Sequence, residues 1–483
     1  MKITDLEPKP VFKFFEDIAA IPHGSGNTDA IAEYCMSFAK ERGLRCSKDD
    51  GGNVVIFKGG TEGYEDSPSV ILQGHLDMVC EKLPGCPKNM ETEGIDIFTD
   101  GEYVTARETT LGADDGIAVA YILAVLDSKD VPHPPIEALL TNDEETGMVG
   151  ANNLDPAGIT GRRLINIDSE EEGVLMVSCA GGVRVYCGLD LSFEKTGDRE
   201  IKSFEIEVDG LKGGHSGIDI DKHRTNAAKL LARLLYRLNS LCPIGISEIE
   251  SGGKVNVIPG HGKAIVCTSA ENGNLLLSAA AEFRENIKAE LSAAEPNADI
   301  IINEVAPPQR FTTAESTSLL IFTLMQAPDG VEAMSPEMPD MVQTSLNMGT
   351  VSIDGDRLKT EFMIRSNDSF GKARLSDRLR SLIEYVGGDV RFEADYPPWE
   401  YRKNSPLRNT MVEVYRELFG NEPQVTGIHA GLECGILAKK LNGADMISFG
   451  PDLENVHTPR ERMNVKSAQR CWNYLLKVLE KLK

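Results

Sequence analysis

Ile71-Leu72-Gln73-Gly74-His75-Leu76-Asp77 is an apolar run that passes through glycine into a His-x-Asp pair. Its length suits a buried strand, and similar runs stand at 53–57, 136–141 and 164–167. Each is bounded by Gly, Pro, Asn or Asp, the residues that end strands and open turns. Residues 116–126 lie among these runs, are apolar all round and read as a buried helix. Asn27 and Thr28 precede the run Ile31-Ala32-Glu33-Tyr34-Cys35-Met36 and Gly43 follows it, which predicts a capped amphipathic helix with a glycine stop. Strands alternating with helices predict an α/β fold: a doubly wound, mostly parallel sheet covered on both faces.

The texture changes near residue 183. Val183-Arg184-Val185-Tyr186 and Phe204-Glu205-Ile206-Glu207-Val208 alternate apolar and polar, as half-exposed antiparallel strands do. Helical stretches at 226–241 and 274–291 follow, with further alternating strands at 346–353, 358–365 and 390–394. This is the pattern of an α+β domain with its helices on one sheet face. After Tyr396-Pro397-Pro398-Trp399 the first texture returns, with a helix at 406–419, a strand at 444–449 and a closing helix at 467–482. The proline pair suits a rigid hinge. The chain therefore reads as a discontinuous first domain, 1–183 plus 397–483, with an inserted α+β lid domain, 184–396, between its halves.

With 75 acidic and 50 basic residues among 483, the net charge is −25. Such a surface repels phosphate backbones and anionic lipid, so neither nucleic acid nor membrane is expected as a partner, and it attracts cations. The first residues carry acids where a signal peptide needs an apolar core. The longest apolar span, 117–126, is half the ~20 residues that cross a bilayer. A soluble, cytoplasmic protein is expected. The ten cysteines are scattered without a C-x-x-C pair and read as reduced core thiols, with no local feature of a nucleophile.

Chemistry concentrates where predicted strands and helices end. His75 and Asp77 fall on one side of an extended chain, so they can act together at a metal, or His75 can be a strand-end residue making an ordinary hydrogen bond. Asp114-Asp115 opens the apolar helix, either as ligands or as the acids that helix N-termini favour. Asp143-Glu144-Glu145 follows an apolar strand, the usual place for a site in a doubly wound sheet, though a solvated acidic loop has the same composition. Asp168 ends another strand, and His457 lies in a late polar loop. Together these segments bring imidazoles and carboxylates to one sheet edge. Nitrogen with carboxylate oxygen suits zinc, and also cobalt or manganese; two ions sharing a carboxylate need about this many ligands and activate water for hydrolysis. His215 stands in the glycine-rich turn Lys212-Gly213-Gly214-His215-Ser216-Gly217, where a plain turn histidine is the simplest reading. His23 reads as a loop residue, and His133, His223 and His261 as surface or turn residues.

The ordered set G-H-L-D-M-V-C-E-K (74–82), T-L-G-A-D-D-G (110–116), T-N-D-E-E-T-G (141–147), N-I-D-S-E (166–170), K-G-G-H-S-G (212–217), N-V-I-P (256–259), I-R-S (364–366), H-A-G-L-E-C-G (429–435) and V-H-T-P-R-E-R (456–462) resembles that of the aminoacylhistidine dipeptidases, also called cytosol non-specific dipeptidases or peptidase D. These belong to the co-catalytic zinc peptidases, with carnosinase and tripeptidase T. The resemblance spans essentially the whole chain. It implies a catalytic di-metal peptidase domain and hydrolysis of dipeptides with broad specificity, including Xaa-His. It further implies two divalent metal ions, with His75 and Asp168 on one, Glu145 and His457 on the other, and Asp114 bridging. Many relatives have Asp-Asn where this chain has Asp114-Asp115, and the bridge is carried to the first. Asp77 is implied to buttress His75, and Glu144 to serve as general base for the attacking water. His215 is implied to stabilise the oxyanion, reaching a neighbouring subunit in dimeric relatives, so a homodimer is expected. Asn256, Arg365 and Gly431 are implied to hold the substrate, and Arg365 has the planar fork that suits a carboxylate. The alternatives are a sibling amidohydrolase (tripeptidase, carboxypeptidase or N-acyl-amino-acid deacylase) and a non-catalytic binding protein on the same fold. The presence of both Glu144 and Asp114 argues against the last.

Overall fold

Every residue of Val70–His75 is buried, as a run without polar alternation requires when both faces of its sheet are covered. The computed structural model describes residues 2–483. They form two compact units: the chain up to Cys179 with Tyr401–Gly427 and Leu432–Lys483, and Ala180–Glu400 with Ile428–Gly431.

The first unit is built on strands β1 (Arg45–Lys48), β2 (Val54–Lys58), β3 (Val70–His75), β4 (Ile136–Thr141), β5 (Arg163–Asn166), β6 (Val174–Cys179), β7 (Gln424–Ile428) and β8 (Asp445–Ser448). Their order is β1-β2-β4-β3-β5-β8-β6-β7. At the centre, β3 runs parallel to β4 (His75 opposite Thr141) and to β5 (Gln73 opposite Asn166), and β8 runs parallel to β5. The pairs β1–β2, β2–β4 and β6–β8 are antiparallel, so the sheet is parallel in its core and antiparallel toward its edges. The parallel centre sends the carboxyl ends of β3, β4 and β5 to one sheet edge, where ligands of doubly wound sheets bind.

Helices α1 (Lys9–Ala19), α2 (Asp29–Glu41), α3 (Ala113–Asp127), α4 (Pro406–Phe419), α5 (Glu433–Lys440) and α6 (Val465–Lys481) belong to this unit. From Gly116 to Leu126, α3 is buried at every position, which its uninterrupted apolar composition permits; it packs on β3 and α1. By contrast α6 buries Val465, Ala468, Cys471, Trp472, Leu475, Val478 and Leu479, the spacing of one helix face. Each aliphatic side chain so removed from water stabilises the unit by about 1.5–3 kcal/mol. Caps end the helices: Asn464 accepts from Ser467 N at 2.9 Å, and α4 starts at Pro406 behind Ser405, which accepts from Arg408 N at 3.0 Å. The expected cap of α2 differs. Thr28 occupies the cap position without capping, because its hydroxyl donates to Asn142 Oδ1 beside the site.

The second unit holds a nine-stranded sheet. Its strands run in the order Asp299–Val305, Ile201–Asp209, Gly262–Ser269, Gly245–Ser251, Val342–Asp354, Arg357–Ser366, Gly181–Asp190 and Asp389–Tyr396, with Gly330–Met334 paired to Val342–Asp354. Its strands pair antiparallel throughout the described residues. Alternate residues such as Phe204, Ile206 and Val208 join Leu231, Leu234 and Leu235 of helix Ala227–Leu241 in one core, while Glu205 and Glu207 between them stay partly exposed. Among the described residues no helix is long and apolar enough to cross a membrane. None of the ten cysteines forms a disulfide among the described residues.

Gly74 decides how closely α3 meets β3. A Cβ there would lie 2.6 Å from Asp115 Oδ2 and 2.7 Å from Ala118 Cβ. Gly74→Ala is therefore expected to destabilise the protein by about 1–3 kcal/mol, the usual range for overpacking. A denaturant midpoint equal to that of the unsubstituted protein would contradict this close packing.

Candidate active site

At the carboxyl end of β3, the His75 ring Nδ1 lies 2.9 Å from the main-chain oxygen of Asp77, which turns Nε2 toward the acids. His75 Nε2 is 3.1 Å from Asp114 Oδ1 and 3.7 Å from Asp168 Oδ1. Asp168 follows the end of β5 by two residues, and Asp114 stands in the first turn of α3. The other oxygen of Asp114, Oδ2, is 3.1 Å from His457 Nε2, and that same nitrogen is 2.8 Å from Glu145 Oε1. One carboxylate thus turns its two oxygens to two histidines from opposite ends of the sequence. The Asp77 carboxylate lies 3.4 Å from the His75 ring, and it also holds the loop after β4. Its Oδ1 accepts the Glu144 N–H at 2.8 Å, and its Oδ2 accepts from Glu145 N at 3.3 Å and Ser25 Oγ at 2.7 Å.

The electrostatics follow from burial and sign. Burial pushes Asp168 up to about 6 against the pull of His75, and raises Glu144 well above the ordinary glutamate range, with Asp168, Glu433 and Glu145 adding repulsion. Burial also raises Asp115, whose Oδ2 accepts the His75 N–H at 3.0 Å. For Asp114, hydrogen bonds from His457 and His75 overcome burial and hold it well below the usual carboxylate range. Burial would lower His75, but hydrogen bonds with Asp114, Asp168 and Asp77 outweigh it and raise it well above its ordinary value. Hydrogen bonds with Asp114 and Glu145 push His457 up to about 11.

Two groups of ligand atoms, His75–Asp114–Glu145 and His75–Asp115–Asp168, each lie within 4.8 Å of one another. The donors are imidazole nitrogens and carboxylate oxygens, and the acids outnumber the histidines. This is the donor chemistry that divalent metal ions require.

Below the site lies a polar network in the sheet itself. Gln73 Nε2 donates to Glu433 Oε2 at 2.8 Å, Thr141 Oγ1 donates to the same oxygen at 2.6 Å, and Asn166 Nδ2 donates to Gln73 Oε1 at 2.6 Å. It joins the strands that carry His75, Asp168 and Glu144. Glu433 is 0% exposed and its carboxyl is raised by burial to about 7. Nothing in the local sequence marks Glu433 as part of the site. The available signal was Gln73 and Asn166, polar residues inside apolar strands, which require buried partners. His23 lies in a loop as expected and is buried there, with Nδ1 2.6 Å from Ile21 O. His133, expected at the surface or in a turn, is fully buried, with Nδ1 2.7 Å from Pro134 O.

The second unit gathers the remaining expected residues around a guanidinium. Arg365 is 5% exposed and has no acidic partner among the described residues. Its Nη2 lies 3.5 Å from His215 Nε2, and its Nη1 donates to Tyr396 Oη at 3.2 Å. His429, bonded to Ser345 and Asn367, is pushed down to about 3 by burial and by Arg365, and the same two causes lower His215. Gly431 lies against Tyr396, whose ring a Cβ would meet at 2.9 Å. Asn256 accepts the Ser216 N–H on its main-chain oxygen at 2.9 Å.

Residues 71–481 match the family model for peptidase family M20/M25/M40. The cytosol non-specific dipeptidase of Escherichia coli (strain K12) is 36% identical over 481 residues, covering 100% of this chain and 99% of that protein. The crystal structure of aminoacylhistidine dipeptidase from Vibrio alginolyticus has a TM-score of 0.96 at 35% identity, covering 100% of this chain and 98% of the other. Aminopeptidase PepT from Bacillus cereus, at 16% identity and a TM-score of 0.56 over 99% of both chains, shares the fold alone. The likeness read from the ordered motifs is borne out along the full chain.

The neighbouring acids raise both His75 and His457, which favours their protonated forms, so a cation must displace protons to bind. Apparent divalent-metal affinity is expected to rise with pH, about tenfold per unit for each proton released. Calorimetric titration at pH 6 and pH 8, in buffers of different ionisation enthalpy, measures that release. An affinity independent of pH would contradict the proton-holding arrangement.

Proposed function

The chain belongs to peptidase family M20/M25/M40, and on that premise we propose that it is a metal-dependent dipeptidase of broad specificity that accepts Xaa-His dipeptides. The observation that carries this reading is the Asp114 carboxylate, with one oxygen toward His75 and the other toward His457. That arrangement suits a bridge between two cations. His75 and Asp168 would hold one ion and Glu145 and His457 the other, and zinc would fit the nitrogen and carboxylate donors, as would cobalt or manganese. When bound, such ions acidify a water and polarise the scissile carbonyl.

The chain's own residues do the rest. Glu144 takes the proton of the attacking water on its carboxylate and returns it to the leaving amine. A carboxyl raised by burial and by neighbouring acids takes up a proton more readily than an ordinary glutamate, which suits that two-way duty. Asp77 fixes the base and its neighbour through their backbone N–H groups. His215 donates to the oxyanion, Gly431 offers the substrate a backbone contact, and Asn256 and Arg365 hold the substrate carboxylate. What supports the last role is a buried arginine without an acidic partner, since an unpaired buried cation favours an incoming anion. The protein works in the cytoplasm as a homodimer. The name of the Escherichia coli relative supports the compartment, and the dimeric relatives implied by the motifs support the assembly.

Glu144→Gln keeps the shape and removes the base. Metal content should stay unchanged while kcat falls about 10²–10⁴-fold. Unaltered turnover would remove Glu144 from this role. A dipeptide should be cleaved far faster than its tripeptide extension or its N-acetyl form, because a free amine and a carboxylate one residue apart must both be met. Steady-state assays giving equal kcat/KM for the three would favour a sibling amidohydrolase.

A further inference from the structure

Glu461 has no part in the chemistry above, yet it is 2% exposed and directed at the turn that opens α3. Its Oε2 accepts the N–H groups of Leu111 at 2.8 Å and Gly112 at 3.2 Å, and its Oε1 those of Ala113 at 2.8 Å and Asp114 at 3.4 Å. Successive backbone N–H groups converging on one anion form a nest, here at the positive end of a helix. Gly112 makes the turn possible at φ 68°, where a Cβ would also meet Met78 Sδ at 2.7 Å. Beyond it, Asp114 (φ −85°, ψ 104°) and Asp115 (φ −115°, ψ 29°) depart from helical geometry. The helix itself therefore does not fix the direction of the Asp114 side chain, and the Glu461 carboxylate supplies the missing restraint.

The backbone of Glu461 belongs to the other half of the site. It lies four residues after His457, its N–H donates to Thr458 O at 3.0 Å, and its carbonyl accepts from Thr105 Oγ1 at 3.1 Å. The next residues, Arg462–Asn464, pair with Tyr103–Ala106 just upstream of the turn. We propose that Glu461 is a positioning residue: its carboxylate clamps the 111–114 turn to the His457 loop, so that Asp114 presents one oxygen to each histidine and the two metal positions load as a coupled pair. This rests on the reading of those residues as metal ligands. Glutamine cannot substitute, because its amide would place N–H groups against backbone N–H groups and leave buried donors unpaired.

The test uses the full-length chain stripped with chelator, then titrated with Zn²⁺ by calorimetry, beside circular dichroism of the metal-free forms. Glu461→Gln should fold, lose at least tenfold in affinity at both positions, and lose kcat while KM for a dipeptide stays within twofold. In a His457→Ala background the further loss caused by Glu461→Gln should be smaller, since the coupling is already broken. Wild-type affinity at both positions, or a lowered melting temperature with affinity unchanged, would overturn the proposal. Should Glu461→Gln not fold, Glu461→Asp, which keeps the charge and withdraws it by one methylene, is read against the same two outcomes. Failure of the unsubstituted chain to bind Zn²⁺ would instead overturn the metal reading on which the proposal stands.

Discussion

Carboxylates crowded out of water repel one another, and the first unit is arranged around that constraint. At ~4 Å, two like charges in a partly screened site oppose each other by about 4 kcal/mol. Asp77, Asp114, Asp115, Glu144, Asp168 and Glu433 influence one another here, and none can stay ionised without an answering donor or cation. The chain answers in three ways. Asp77 takes backbone N–H groups, Asp114 takes two imidazoles, and Asp168, Glu144 and Glu433 rise in pKa toward the protonated form. A set of acids held this way is stabilised by whatever brings positive charge, which is why it reads as a metal centre and not as a solvated loop.

The sheet explains why the acids meet. Parallel pairing of β3 with β4 and β5 brings three carboxyl ends to one edge, so His75, the 143–145 loop and Asp168 become neighbours. The Gln73–Asn166–Glu433–Thr141 network ties those same strands together one layer below. A buried network with most of its members satisfied rigidifies the floor on which ligands stand. The remaining contributors, Asp114 and His457, come from a helix start and a late loop, and Glu461 is the residue that both have in common. The second unit has the opposite sign at its centre, with Arg365 flanked by His215 and His429, whose lowered pKa values keep the guanidinium as the dominant charge.

Much was legible without coordinates. The runs at 71–77 and 136–141 read as strands of a covered sheet, because they lack polar alternation, and residues 116–126 read as a buried helix. The His-x-Asp pair and the acids at strand ends marked the site, since alternate residues on an extended chain share a side. Local pattern failed where a residue's surroundings are remote in sequence. Glu433 and Glu461 look like ordinary surface acids, Thr28 like a simple cap, and His133 like a turn residue.

The amino-acid order by itself determined which segments are strands and helices and which residue types wait at their ends, because periodicity and turn chemistry act over a few residues. Only the tertiary structure decided that Asp114 meets His457 across 343 positions, that Asp77 holds the 144–145 backbone, and that Glu461 grips the 111–114 turn. Those contacts exist because parallel strand pairing and burial bring together groups whose mutual repulsion or attraction no local stretch can register.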